Sequence, residues 1–200
     1  MKPSAVVFDI GGVLVDWEPV RAFEPALGSR AAAEAFMARI GFRDLNVKAD
    51  AGARFIDLAG GIEDEADRKA LEGYVDHFAR SVEVAIEGTW ALVERLRASG
   101  VPLHAITNWS AETWPEGLKA HPRLGTSFGV TVVSGQEGVA KPDPRIFALL
   151  CARANVEPDA CLFIDDGPHN VAAARAFGMD AVQFSDPGRL ATDLAERGLL

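Results

Sequence analysis

The chain has 200 residues, 48% hydrophobic and 24% charged, with a formal net charge of -9. That length suits one ordinary domain, or a core domain with a modest insertion, and the negative balance argues against a nucleic-acid backbone or an anionic membrane as partner. No apolar run reaches the roughly 18 residues of a membrane helix.

In chain order, the first predicted element is a strand, AVVFD (5–9), which runs into Gly11 and Gly12. It lies in the N-terminal stretch MKPSAVVFDIGG, whose apolar run is too short for a signal peptide. The block from residue 19 to residue 86 offers no strand candidate. RAAAEAFMARIGF (30–42) and DEADRKALEGYVDHFARSVE (64–83) read as amphipathic helices, with a shorter helical or turn segment at ARFIDLAGG (53–61). TWALVERLRASG (89–100) is a further helix ending in glycine, followed by strands PLHAIT (102–107) and GVTVV (129–133). PRIFALLCARANV (144–156) opens a helix with proline in its first turn. Strand ACLFID (160–165), helix NVAAARAFG (170–178) and strand DAVQF (180–184) complete the chain. The strands are continuous apolar runs without clean alternation, as expected for a parallel sheet buried on both faces. The expectation is therefore an α/β fold: a three-layer Rossmann-like parallel sheet core from residues 1–18 and 87–200, with an all-helical cap inserted at 19–86. Such an insert would sit over the carboxyl end of the first strand, where open α/β sheets bind ligands. Cys151 and Cys161 lack metal-ligand spacing and read as ordinary core residues, in keeping with a reducing, cytoplasmic compartment.

Three predicted strands end in polar groups: Asp9, then Thr107 with Asn108, then Asp165 with Asp166. A loop lysine, Lys141 of VAKPDPRIF (139–147), completes the set. These segments resemble the haloacid dehalogenase-like hydrolase superfamily over nearly the whole chain. VVFDIGGVLVD matches its first motif, with Asp9 as nucleophile, and ITNWS its second, with Thr107 as the hydroxyl residue. Lys141 of AKPDP matches the third, and FIDDGPHN the acidic fourth, with Asp165, Asp166 and Asn170. The helical insertion falls where the superfamily carries a cap, and the motif wording is closest to small phosphatases acting on sugar phosphates.

The residues support these roles by their own chemistry. A carboxylate at a strand end can attack phosphorus in line and form an aspartyl-phosphate that water later cleaves. Gly11 and Gly12 let the backbone fold back so that its N–H groups can point at phosphate oxygens. Thr107 can donate to a phosphoryl oxygen, and Lys141 supplies positive charge. Asp9, Asp165 and Asp166 converging would repel one another. A hard divalent cation, Mg²⁺, resolves that repulsion, held by Asp9, Asp166 and the carbonyl of Gly11, with Asp165 either a ligand or a supporting residue. Asn170 either orients the metal's surroundings or caps a helix.

One departure stands out. The superfamily's second aspartate, two residues after the nucleophile, is Gly11 here, and the general acid and base is missing. That assistance is typically worth roughly 10²- to 10⁴-fold. A good leaving group, a substitute carboxylate from Asp16 or Glu18, or a reaction that needs no protonated leaving group would each accommodate the loss. The main reading is Mg²⁺-dependent hydrolysis of a small phosphorylated metabolite, a sugar phosphate being one possibility. The alternatives are a metal-independent 2-haloacid dehalogenase acting through Asp9, and a non-catalytic member that binds a phosphorylated ligand or a partner. His77, His104, His121 and His169 show no ligand spacing. Trp109, Trp114, Trp17 and Phe23 read either as pocket lining or as cap–core packing. Arg39, Arg43 and Arg54 read as solvated, with one of them able to reach an anionic substrate.

Overall fold

A computed structural model describes residues 3–200, so the first two residues of the stretch read as too short for a signal peptide lie outside the described residues. Strands β1 (Ala5–Phe8), β2 (Leu103–Thr107), β3 (Val130–Val133), β4 (Cys161–Asp165) and β5 (Asp180–Gln183) form one sheet in the order β3-β2-β1-β4-β5. All neighbours are parallel. The helices between β1 and β2 are α1 (Val20–Leu27), α2 (Arg30–Ile40), α3 (Phe42–Asp50), α4 (Phe55–Ala59), α5 (Glu65–Glu72), α6 (Tyr74–His77) and α7 (Glu87–Ala98). Then come α8 (Trp114–Ala120) after β2, α9 (Ser134–Glu137) and α10 (Pro144–Ala154) after β3, α11 (Pro168–Phe177) after β4, and α12 (Pro187–Glu196) after β5. No helix among the described residues is long and apolar enough to cross a membrane.

The alternation of side chains along each strand divides the core into two layers. Val6, Phe8, Leu103, Ala105, Leu162 and Ile164 face the side covered by α7 and α12. Val7, Ile106, Cys161 and Phe163 face the side covered by α10 and α11, where Cys151 also packs as a free thiol. Both faces are dry, which is why these strands read as unbroken apolar runs. The flanking helices begin on local signals: Asp143 caps α10 by accepting from the Arg145 N–H, Asp186 caps α12 in the same way through Arg189, and each has proline in its first turn.

Two helical expectations in the inserted block need correction. The segment expected as one helix over 30–42 stops at Ile40, because Gly41 takes up a left-handed φ of 62°. A new helix, α3, then departs from Phe42, with a polar exposed face that gave little periodic signal. The segment 64–83 is also not one helix. Gly73, with little intrinsic helical preference, separates α5 from α6, and a 3₁₀ turn covers Phe78–Val82. These breaks let the short helices wrap an aromatic cluster. The Tyr74 ring lies 4.9 to 5.7 Å from those of Phe23, Phe42, Phe55 and Phe78. Phe23 is therefore a packing residue.

The chain leaves and re-enters the sheet region at one place. Val15 and Ala85 form an antiparallel bridge. The Asp16 N–H donates to Val84 O at 2.8 Å, and the Ile86 N–H to Leu14 O at 2.9 Å. The indole of Trp90 donates to the same Leu14 carbonyl at 2.9 Å. Outgoing and returning segments thus form a short two-stranded ribbon only a few residues beyond Asp9.

Candidate active site

β1 is the central strand, with β2 and β4 on either side, so the sheet order itself gathers the carboxyl ends that carry Asp9, Thr107 and Asp165. The Asp9 N–H still donates to Ile164 O at 2.8 Å, which extends the ladder by one residue. Beyond it the chain turns sharply: Gly12, with φ of 75°, donates its N–H to Val15 O at 2.8 Å. That donor, expected at a phosphate oxygen, is thus used inside the turn. Gly12 instead makes room. A Cβ placed on it would lie 2.6 Å from Asp166 Oδ2, so the Asp166 carboxylate stands where a side chain would otherwise be. Gly11 differs, because a Cβ there would meet nothing within 4 Å.

Lys141 is wholly withdrawn from solvent, and its ammonium makes three contacts: Asp9 Oδ1 at 2.8 Å, Asp165 Oδ2 at 2.7 Å and the Ile106 carbonyl at 3.1 Å. An ammonium has three protons, so all are placed. Its loop is fixed through Asn108, whose amide accepts from the Lys141 N–H at 2.8 Å and donates to the Lys141 carbonyl at 2.9 Å. Asp165 is equally occupied, since its Oδ1 accepts from the Gly167 N–H and from the Asn170 amide at 2.8 and 3.0 Å. Asp9 Oδ1 also accepts from the Ile10 N–H at 2.6 Å. Both donors hold the same oxygen, which leaves Asp9 Oδ2 as the free one among the described residues.

Burial pushes the Asp9 carboxyl up, with Lys141 opposing and the Asp165 charge adding to the rise. Asp165 is held below the usual carboxylate range: burial would raise it, but the Lys141 charge and hydrogen bond outweigh that. Lys141 is raised, because the two carboxylates more than offset its own desolvation.

One oxygen each of Asp9, Asp165 and Asp166 lies within 4.8 Å of the others. Three carboxylates facing one ammonium leave two negative charges in excess, which a divalent cation would balance. The donors are all hard oxygens, and the buried Asn170 Oδ1 beside them has no hydrogen-bond partner among the described residues. The set therefore fits Mg²⁺. Thr107 is buried at the end of β2 with Oγ1 likewise unpartnered among the described residues, and it does not line the cleft.

The cleft over these residues has a volume of about 530 Å³. Its floor includes Asp9, Gly11, Gly12, Lys141 and Asp166, and its roof carries Arg43, Asn46 and Asp50 from one face of α3. Of the three arginines noted in the sequence, Arg39 pairs with Asp67 and Arg54 with Glu112, while Arg43 lines the cleft. Trp109 and Trp17 also line it. Trp109 packs edge-on against Trp114 and near Phe78, so it serves both uses, whereas Trp114 only packs. His169 lines the rim. His104 accepts from the Val130 N–H within the sheet, and His121 lies against the Val82 carbonyl, so both are structural.

Sequence reasoning missed Glu112 and Asp50. Glu112 accepts from the Phe55 N–H at 2.6 Å and so ties the start of α4 to the loop after β2. Asp50 ends α3 inside the cleft, with its carboxylate accepting from Asn46 at 2.9 Å. A polar residue four positions after another on a helix carries no signal of which pocket it will enter.

The profile of the haloacid dehalogenase-like hydrolases matches residues 3–178. A flavin mononucleotide hydrolase of Arabidopsis thaliana is 33% identical over 129 residues, 64% of this chain and 51% of that protein, so the chain spans about half of that relative's length. A phosphoglycolate phosphatase of Pseudomonas putida is 29% identical over 190 residues, 90% of this chain and 68% of its own. The fructose-1-phosphate phosphatase of Escherichia coli is 28% identical over 182 residues, 90% and 95% respectively. Among solved structures, a Bacteroides thetaiotaomicron enzyme in complex with magnesium and inorganic phosphate superposes with a TM-score of 0.72 at 18% identity, covering 92% of this chain and 95% of its own. A dehalogenase gives 0.69 at 21% identity, covering 92% and 85%. At these identities the structures speak for the fold alone.

Proposed function

The chain belongs to the haloacid dehalogenase-like hydrolases, and from that premise we propose that it hydrolyses a small phosphorylated metabolite with the help of Mg²⁺, through an aspartyl-phosphate on Asp9. The observation that carries this reading is the meeting of Asp9, Asp165 and Asp166 around one point, with a single ammonium to balance them. An anionic halo-acid entering the same cleft would meet uncompensated negative charge, which disfavours the dehalogenase reading. Phosphatases among the relatives lie in the same direction.

In this reading Asp9, Asp166 and the Gly11 carbonyl hold the metal, which supplies charge neutralisation for the phosphoryl group. Asp9 Oδ2 attacks phosphorus, because Oδ1 is pinned by Ile10 and Lys141. Lys141 opposes the effect of burial on Asp9, and Asp165 with Asn108 keeps Lys141 in place. The helical block at residues 19–86 acts as a cap that closes the cleft over the substrate and limits water.

Phosphate release from a panel of phosphorylated metabolites and from para-nitrophenyl phosphate tests the proposal, beside halide release from 2-halo acids, each with Mg²⁺ and with chelator. Phosphate release that chelator abolishes is expected. Asp9→Asn should lose it by at least ~10³-fold while keeping the wild-type circular dichroism. Halide release indifferent to chelator, or an Asp9→Asn variant at the wild-type rate, would overturn it.

A further inference from the structure

The geometry points to a second carboxyl acting in the reaction: we propose that Asp50, delivered by the cap helix α3, is the proton donor that Gly11 cannot be. This rests on the phosphatase reading above and names the group that completes it.

Asp50 shares the cleft with Asp9 and Lys141. It is the last residue of α3 and partly buried. Two hydrogen bonds order this part of the inserted block. Asn46, one turn earlier on the same face, donates to Asp50 at 2.9 Å. Just beyond it, Glu112 anchors the Phe55 N–H at the start of α4. The Asp50 carboxyl thus lies in the same cleft as Asp9 and Lys141, carried by α3 and not by the sheet, where it can meet the leaving oxygen of a substrate attacked by Asp9.

Its protonation suits the task. Burial lifts the Asp50 carboxyl to about 7, even though the Lys141 charge and a hydrogen bond from Ser110 pull the other way. Tyr74 faces it from α6, and its phenol is raised by burial. Arg43, Asp16, Asp9, Asp166 and His169 complete the ionisable lining of the cleft. A carboxyl with pKa near ambient pH is well matched to giving a proton and taking one back. Asp16, the carboxylate that lies nearest in sequence, is exposed to solvent beside the ribbon.

The chemistry balances. Asp9 Oδ2 forms a bond to phosphorus as the phosphorus–oxygen bond to the leaving group breaks. The Asp50 proton passes to the departing oxygen, which leaves as an alcohol, and Asp50 becomes a carboxylate. In the second step a water gives its proton to that carboxylate and attacks the phosphorus of the aspartyl-phosphate. Phosphate and the Asp9 carboxylate are released, with Asp50 protonated again.

The test compares a simple alkyl phosphate, whose alkoxide needs a proton, with para-nitrophenyl phosphate, whose phenolate does not. Asp50→Asn keeps the size and hydrogen bonding of the side chain. It should lose roughly 10²- to 10⁴-fold in kcat/KM, which reports the phosphoryl-transfer step, on the alkyl phosphate, and at least ten-fold less than that on the aryl one. At Gly11 a Cβ would meet nothing within 4 Å, and Gly11→Asp should restore alkyl turnover in the Asp50→Asn background. In the wild-type protein, kcat/KM on the alkyl phosphate should fall as pH rises through about 7, since the acid form is required to expel the alcohol, and this limb should be absent with the aryl ester. That profile needs no variant to fold. Equal losses on both esters, the same leaving-group signature in Asp16→Asn instead, or no alkaline limb would overturn the assignment. Wild-type protein that fails to cleave either ester with Mg²⁺ present would instead sink the phosphatase reading.

Discussion

At the scale of single residues, the site is organised by what Gly12 lacks. Its left-handed φ of 75° already disfavours any side chain, by about 1–2 kcal/mol. The Asp166 oxygen 2.6 Å from its missing Cβ adds a clash with the carboxylate proposed to hold the metal. Gly12→Ala should therefore do two things together: lower stability by about that amount, and raise the Mg²⁺ concentration for half-maximal activity by roughly 10- to 100-fold. A Mg²⁺ titration and a denaturant melt read the two effects separately. Unaltered values in both would mean that Asp166 does not stand against the first turn. Gly11, one residue earlier, is under no such constraint, so its lack of a side chain is a chemical feature of this chain and not a steric one.

At the scale of elements, α3 is the piece that roofs the acidic floor, bringing Arg43, Asn46 and Asp50 into the cleft. Arg43 projects into the cleft and makes no ion pair among the described residues, whereas the ammonium of Lys141 is fully engaged. Arg43 is thus the available cation for a second anionic group on the substrate. Arg43→Ala should raise KM about ten-fold or more for a substrate bearing such a group, the equivalent of one charged hydrogen bond, and change KM far less for one without it. The same element marks the limit of what was legible in the sequence. The five strands, and the polar residues at their ends, were readable because strands buried on both faces spell continuous apolar runs, and parallel order brings their ends together. FRDLNVKAD (42–50) gave no comparable signal: only Phe42 and Ala49 are buried, and Gly41 hides the boundary with α2. The roles of Asp50 and Glu112 follow from how α3 and α4 dock on the loop after β2, a contact between segments more than fifty residues apart. Local patterning carries no record of such a contact. The employment of the Gly12 N–H was hidden for a related reason, since its acceptor is set by the turn's closure and not by residue type.

At the scale of the whole molecule, the helical block and the sheet share one apolar interior. Val6 and Phe8 of β1 belong to the same buried cluster as Phe23, Phe36 and Tyr74, with Phe78, Trp109 and Trp114 at the join. The two parts should consequently unfold together. Urea titrations followed by circular dichroism, which reports helices throughout, and by tryptophan fluorescence, which is weighted to the join, should give one coincident transition. Two separated midpoints would show that the parts hold together less than their common interior implies. The ribbon of Leu14–Asp16 against Val84–Ile86 adds a mechanical consequence. Both chain crossings are clasped beside Asp9, so any swing of the upper helices has its axle there. Asp9, Lys141 and Asp166 lie on the sheet side of that axle and would scarcely shift during such a swing, whereas Arg43 and Asp50, carried by α3 between the two crossings, would move with the helices and open or shut the cleft as they go.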